Sequence, residues 1–271
     1  MNSDGLSYES VLSQLAGERP RLAAALERAE KQRSRRTASL LTGARLKGVE
    51  ELLQYLDELA EAFRASPQLS RLAFLVARTL ADFETAVEAT LSGYLAVAAD
   101  AMRDVMEIEN LLLDFAVNPD HIDEWLASDD RTRMRKFMPV KVRERLHAAG
   151  QAPFTTSAES IDYRGHSEAL HVSPRQYPVA RKGFSTGSGV AGDLEADSGF
   201  WEIFEHGRRL HLALRRLTGV LQPGTPVHEL TERSLSDFED GWERTQQMQQ
   251  VYLALIEAAL KVHAEQEGES S

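Results

Sequence analysis

Apolar residues recur at three- and four-residue intervals along most of this chain, the spacing that places side chains on one face of an α-helix. One such stripe covers residues 49–63 and predicts a helix that ends before Pro67. A second stripe covers residues 69–115, which is too long for an average single helix. Ser92-Gly93 is a candidate break, so we predict a long helical region that divides there.

The two ends of the chain carry helical patterns of different strength. Residues 1–37 contain two helical patterns with thin apolar stripes, and we predict that they form an N-terminal helical appendage. Strong helical patterns cover 200–217 and 235–262. We therefore predict a single helical domain over residues 38–266, followed by a disordered tail at 267–271.

No segment alternates between apolar and polar residues in the manner of a strand. The predicted fold class is therefore all-α, a helical bundle with long antiparallel helices. Residues 118–120 end the long helical region, and a further helix is predicted at about 139–148, closed by Gly150. Residues 172–198 are rich in proline and glycine, which predicts a long irregular loop.

Composition and charge narrow the classes of function. The 271 residues include no cysteine, which excludes disulfides, thiolate zinc sites and a catalytic thiol. The sequence contains no secretory signal and no apolar run of membrane-spanning length, so we expect a cytoplasmic protein with no membrane partner. The formal net charge is −11, yet residues 131–182 hold eleven Lys or Arg against four acids. This segment is either an anion-attracting face or an ordinary solvated surface.

The anion-attracting interpretation names candidate binding residues. RNA or another phosphate-bearing ligand is the expected partner, because lysine and arginine neutralise phosphates. The residues are Arg131, Arg133, Arg135, Lys136, Arg175, Arg181 and Lys182.

A dense polar cluster at residues 163–174 lies inside the basic segment and is the best site candidate. Three familiar motifs occur in or after it. Gly-x-Gly-x-x-Gly at 187–192 matches a dinucleotide fingerprint and Gly-His-Ser-Glu-Ala at 165–169 imitates a nucleophile elbow, but neither follows a predicted strand. Glu-x-x-His at 168–171 has the spacing of a metal-ligand pair and recurs at 144–147, but a di-iron site also needs a carboxylate from each of two further helices. We therefore expect no cofactor and no metal.

Arg164 and His171 are seven residues apart, so on a helix they face nearly the same direction, roughly 10 Å apart along the axis. An arginine grips phosphate oxygens and a histidine moves a proton near neutral pH, which is the minimum for metal-free RNA cleavage. His171 would be the general base or acid, while Arg164 would stabilise charge developing on phosphorus. The candidate supporting residues are Tyr163, His166, Ser167 and Glu168.

An arginine followed several residues later by a histidine, on a late helix of an all-α bundle, resembles the HEPN superfamily. Many of its members are metal-independent ribonucleases that work as dimers. The resemblance covers about residues 69–220 and implies an endoribonuclease, of toxin or defence type, with Arg164 and His171 as catalytic residues. The residue after the arginine is usually polar in active members, whereas here it is Gly165, with His166 one step later.

The chain is more closely similar to a bacterial helical family of unknown function. That similarity rests on Tyr163 with Ser167-Glu168-x-x-His171-x-Ser-Pro174, downstream of Arg103-x-x-x-Glu107 and Asn118-Pro119.

The alternative function is a non-catalytic helical interaction or sensor protein in which the same cluster is structural. Arg164 and Glu168 would then form a salt bridge within a helix. Arg103 and Glu107, four residues apart on the long helix, are predicted to be a structural ion pair. A homodimer, or a partner encoded by a neighbouring gene, is compatible with either function.

Overall fold

The computed structural model describes residues 7–151, 190–248 and 250, and every regular element within these ranges is helical. The all-α prediction is confirmed. The helices are α1 Tyr8–Glu18, α2 Pro20–Leu40, α3 Ala44–Ala65, α4 Ala73–Ser92, α5 Leu95–Val117, α6 Asp120–Leu126, α7 Asp130–Lys136, α8 Pro139–Ala148, α9 Val190–Leu221 and α10 Pro226–Thr231. A 3₁₀ turn at Ser70–Leu72 precedes α4, and residues 236–248 are also helical.

The division of the long helical region follows from one glycine. Gly93 ends α4 in the left-handed conformation, with φ of 88°, and its N–H contacts the last carbonyls of that helix. Only glycine adopts this conformation without a steric cost, so the chain reverses here and α5 returns antiparallel to α4. The predicted break is confirmed, and α8 likewise begins at Pro139 as predicted.

The core lies between α3, α4, α5 and α9, which pack on one another along their apolar faces. Phenylalanines from all four helices fill it, and their side chains are completely buried. They include Phe63, Phe83, Phe115, Phe200 and Phe204. The predicted apolar stripes are therefore the buried faces of these helices.

The irregular loop predicted for residues 172–198 is wrong over its last nine residues, because α9 begins at Val190. Glycine disfavours a helix by about 1 kcal/mol per residue, but tertiary packing overrides that preference here. A Cβ atom on Gly199 would lie 2.6 Å from Oγ1 of Thr90, so only a glycine allows α9 to approach α4 this closely. Gly199, which directly follows the predicted loop, is thus a packing residue of α9.

Several predicted segments lie outside the residues that the structure describes. The predicted helix at 157–171, the rest of the glycine-rich loop and residues 251–271 lie outside the described residues. The predicted boundary after residue 37 falls within α2, which packs on α3 and α4. Among the described helices, none is both long and apolar enough to cross a membrane.

Candidate functional site

The predicted catalytic cluster lies outside the described residues. This holds for Tyr163, Arg164, His166, Ser167, Glu168 and His171, and for the binding residues Arg175, Arg181 and Lys182. The predicted site residues that the structure does describe are Arg131, Arg133, Arg135 and Lys136 on α7 and Arg103 and Glu107 on α5.

Helix α7 is a short element defined by its cap and its charges. The carboxylate of Asp129 accepts a hydrogen bond from the backbone N–H of Thr132 at 2.7 Å. The side-chain hydroxyl of Thr132, and then this backbone bond, lower the pKa of Asp129. Three basic residues occupy the last turn, where the helix dipole favours positive charge. A capped N-terminus and a basic C-terminus therefore account for a seven-residue helix with no buried side chain.

The basic residues of α7 divide into two groups. Lys136 forms an ion pair with Glu124 of α6, and Arg133 forms one with Asp130 within the helix. Arg131 and Arg135 are exposed and form no ion pair with any described residue. They lie four residues apart on the same helical face, so two guanidinium groups point to one region of solvent.

A buried carboxylate fixes the helices on either side of α7. Asp114 of α5 receives two hydrogen bonds from Arg145 of α8, at 2.9 and 2.7 Å, and a third contact from Nδ1 of His121 at 3.0 Å. The paired arrangement of the arginine bonds is the strong, directional form. Arg145 also donates to the backbone carbonyl of Lys136, so it holds the C-terminal end of α7. Arg145 therefore has a structural role and is not a free binding cation.

Arg103 and Glu107 form an ion pair on α5, with Nε and Oε1 3.4 Å apart. The side chains keep 23% and 34% of their exposed area, so the pair is partly buried. Burial raises the pKa of Glu107, and the charge of Arg103 opposes that change. The partly buried ion pair links two successive turns of α5, which is a structural role.

The pKa of a second acidic group between α4 and α5, Asp82, is also raised. Arg78 binds both carboxylate oxygens of Asp104, one of them at 2.9 Å, and Asp82 lies beside the same carboxylate. Burial, followed by a hydrogen bond with Asp104 and the negative charge of Asp104, raises the pKa of Asp82 to about 7. Two carboxyl groups that face each other share a proton more readily than they both ionise.

A buried charge cluster that the sequence did not predict lies between α5 and α9. Glu109 of α5 is fully buried; Nη2 of Arg209 lies 2.6 Å from its Oε1, and Nδ1 of His206 lies 3.4 Å from its Oε2. Nε2 of His206 lies 3.5 Å from a carboxylate oxygen of Glu202, one turn earlier on α9. A carboxylate at a core position of the apolar stripe of α5 was the signal available in the sequence. Its partners are nearly 100 positions away, so only the tertiary structure identifies them.

The protonation and pairing of these side chains indicate a structural role for the cluster and not a catalytic one. Burial by itself lowers the pKa of His206, but hydrogen bonds to Glu109 and Glu202 outweigh that effect and raise it to about 9. The imidazole is therefore protonated at neutral pH and is a poor general base. Two cations and their carboxylate partners pair with one another, which joins α5 to α9 inside the core.

The described residues contain no group of three or more His, Asp or Glu side chains arranged to hold a metal ion. Comparisons with protein-family models, curated proteins and solved structures found no match. The HEPN resemblance therefore stays a prediction from the sequence motifs.

Proposed function

We propose that this protein binds RNA and cleaves it without a metal ion, as a HEPN-like endoribonuclease. The observation that supports the binding step is the pair of exposed arginines on α7, Arg131 and Arg135, on a chain whose net charge is −11. Phosphate attraction is the largest sequence-independent contribution to nucleic-acid binding, and arginine offers a planar fork to phosphate oxygens.

The structure also narrows the predicted binding set. Lys136 and Arg133 already pair with carboxylates, and each would have to release its partner before it could bind a phosphate. Arg131 and Arg135 pair with none of the carboxylates that the structure describes, so no such exchange with those groups is needed. We therefore assign the RNA contacts of α7 to these two residues first.

In the proposed reaction His171 removes the proton from a ribose 2′-hydroxyl, whose oxygen attacks the neighbouring phosphorus. The bond from phosphorus to the 5′-oxygen breaks, and that oxygen takes up a proton from water as it leaves. Arg164 stabilises the extra negative charge on the phosphoryl oxygens during the transfer. The products are a 2′,3′-cyclic phosphate and a free 5′-hydroxyl, and DNA cannot react because it has no 2′-hydroxyl.

The activity test uses purified full-length protein and total RNA in excess EDTA, with a 2′-deoxy oligonucleotide as the substrate control. Wild-type protein should cut RNA to cyclic-phosphate ends and leave the DNA intact. His171→Ala and Arg164→Ala should each remove the cleavage. Cutting that survives in both variants, or the absence of any cutting by the wild type, would count against the ribonuclease.

The binding test is separate from the activity test. Fluorescence anisotropy with a labelled single-stranded RNA, over a series of salt concentrations, should show weaker binding by Arg131→Ala/Arg135→Ala. The slope of log K against log salt should fall in magnitude by about 1.4, the value for two lost phosphate contacts on a single strand. The matched control is Arg19→Ala/Arg21→Ala, which removes the same amount of charge at the start of α2. Helix α2 packs on α1, α3 and α4, whereas α7 packs on α8. Equal losses in the two double variants would mean that α7 is not the RNA contact.

A second candidate function, a non-catalytic interaction protein, is supported by an aromatic pair at the surface, in which Phe74 is exposed and Trp125 is partly buried. The rings of Phe74 and Trp125 stack with centroids 6.0 Å apart and planes 5° from parallel, and Phe74 is half exposed. Leu126 adds a further exposed apolar side chain next to Trp125. Aromatic anchors of this kind are enriched at protein interfaces.

This candidate function predicts that the protein self-associates through the surface that carries Phe74 and Leu126. Sedimentation equilibrium of the wild type should show a dimer that Phe74→Ala/Leu126→Ala converts to monomer. The control, Leu22→Ala/Val220→Ala, removes two other exposed apolar side chains and should leave the dimer intact. A wild-type protein that is monomeric at high concentration would contradict a role for this surface in dimerisation.

A further inference from the structure

A cleft lies between the N-terminal helices and the α4–α5 hairpin, away from α7. Side chains of α1, α2, α4 and α5 line it, together with Tyr94 in the turn between α4 and α5. Its volume is about 620 Å³, within the range of cavities that bind small molecules. The size is suited to a compact organic ligand.

One part of the cleft is apolar. Leu26 of α2 and Val97 of α5 line it and remain 39% and 49% exposed, and Tyr8 of α1 is 50% exposed. Single exposed apolar side chains are common on protein surfaces, but here three of them from three helices face one cavity. An apolar ligand body would cover all three at once, and the release of water from these surfaces favours binding.

The polar part of the cleft is negatively charged. Arg33 of α2 pairs with Glu88 of α4 at 2.7 Å and also with Glu30 one turn earlier, and these hydrogen bonds raise the pKa of Arg33. Oε1 of Glu88 additionally accepts a hydrogen bond from Oγ of Ser92 at 3.0 Å. The guanidinium group is therefore already occupied by two carboxylates and is not available to hold an anion.

Glu84 supplies a further carboxylate. It is exposed, lines the same cleft and forms no ion pair with any described residue. Three carboxylates and one guanidinium give the lining a net charge of −2, which attracts a cation and repels an anion. The ring of Tyr8 is also available for a cation–π contact.

We propose that this cleft binds a small organic cation, one ammonium group on a compact apolar body. The ammonium lies beside Glu84 and Glu88, and the apolar body lies between Leu26 and Val97. The site shares no residue with the proposed RNA contacts, so it is a separate ligand site on the same molecule.

The first test compares three ligands that share one ring system and differ in charge. Tryptamine is a cation, tryptophol is neutral and indole-3-acetate is an anion. Isothermal titration calorimetry of the full-length protein should give saturable tryptamine binding, at least about tenfold tighter than tryptophol, which corresponds to one favourable charge contact. Indole-3-acetate should not bind. Equal affinity for the three ligands, tighter binding of the anion, or no saturation by tryptamine up to about 10 mM would each overturn the proposal.

The second test locates the site. Glu84→Gln should weaken tryptamine binding by about fivefold, because it removes one carboxylate without breaking an ion pair. Val97→Arg should abolish binding, since it places a positive charge in the wall of the cleft. The matched control is Glu50→Gln, an exposed glutamate on α3 outside the cleft. Thermal unfolding of each variant, without ligand, verifies that it is folded. Tryptamine affinity unchanged by both cleft variants would place the binding elsewhere and overturn the proposal.

Discussion

Nη2 of Arg209 on α9 lies 2.6 Å from Oε1 of Glu109 on α5, and both side chains are buried. His206 contacts the other oxygen of the same carboxylate. Charges inside a protein are stable only when they are paired, so the helices that carry them are held in one relative position.

Removal of the Glu109 charge should be strongly destabilising. Glu109→Gln leaves Arg209 and His206 as buried cations without their carboxylate, and we expect the free energy of unfolding to fall by about 3–5 kcal/mol. Urea unfolding followed by circular dichroism measures the change. Glu50→Gln, an exposed site, should stay within about 0.5 kcal/mol of the wild type.

The same cluster predicts how apolar replacement behaves. The triple variant Glu109→Leu/His206→Leu/Arg209→Met removes these three buried charges together, so none of the three is left without its partner, and we expect it to be more stable than Glu109→Gln alone. A triple variant that is less stable than the single one would show that the cluster contributes more than the pairing of its charges.

Stability should also depend on the protonation of His206. Its pKa in the folded protein is about 9, above the ordinary value of 6.5, so the folded state binds the proton more tightly. The resulting stabilisation is complete below pH 6.5 and is lost as the pH rises through 9. The difference in unfolding free energy between wild type and His206→Gln should therefore shrink between pH 6 and pH 9.5. A difference that stays constant over this range would contradict the assignment.

Removal of the Asp82 charge should stabilise the protein at high pH, because the ionised carboxylate is unfavourable in the folded state. Its pKa rises from 3.8 to about 7, so ionisation costs more in the folded protein than in the unfolded chain. Stability contributed by the protonated carboxyl is lost as the pH rises from 3.8 towards 7 and above. Asp82→Asn should thus have little effect at pH 4 and stabilise the protein at pH 8, by about 1 kcal/mol after allowance for solvent screening. Asp57→Asn, an exposed aspartate on α3, is the control and should show no such change with pH.

Gly199 should tolerate no side chain. A methyl group there would approach Oγ1 and Cγ2 of Thr90 to 2.6 and 2.7 Å, and overpacking of this kind costs about 1–3 kcal/mol. Gly17→Ala on α1 is the matched control, because nothing lies within 4 Å of its added methyl group. We expect that control to gain about 0.4–1 kcal/mol, since alanine suits a helix better than glycine. Thr90→Ala combined with Gly199→Ala should cost less than the sum of the two single changes, as measured by thermal unfolding.

Most helices were predictable because their signals are local. The apolar stripes of α3, α4 and α5 follow the helical period, and Gly93 is a typical end of a helix. The short helix α7 was not predicted, since it has no apolar stripe and depends on the cap at Asp129. The start of α9 was placed too late, because Gly192 ends a segment rich in glycine and proline, and such a composition indicates a loop.

The candidate sites differ in the same way. Arg103 and Glu107 were predictable as a pair, because four residues on a helix bring two side chains together. The pairing of Lys136 on α7 was not, because its partner Glu124 belongs to another helix. The cleft with Glu84 and Leu26 likewise requires two helices that the sequence cannot place side by side.

The sequence by itself determined the all-helical class, the positions of the long helices, the acidic charge and the basic segment, because periodicity and composition are properties of neighbouring residues. Only the tertiary structure decided that Glu109 pairs with His206 and Arg209, and that Arg131 and Arg135 form no ion pair with a described carboxylate. Those outcomes depend on distances between residues far apart in the chain, and burial then sets their strength, since a charge that water cannot reach needs a partner within a few ångströms.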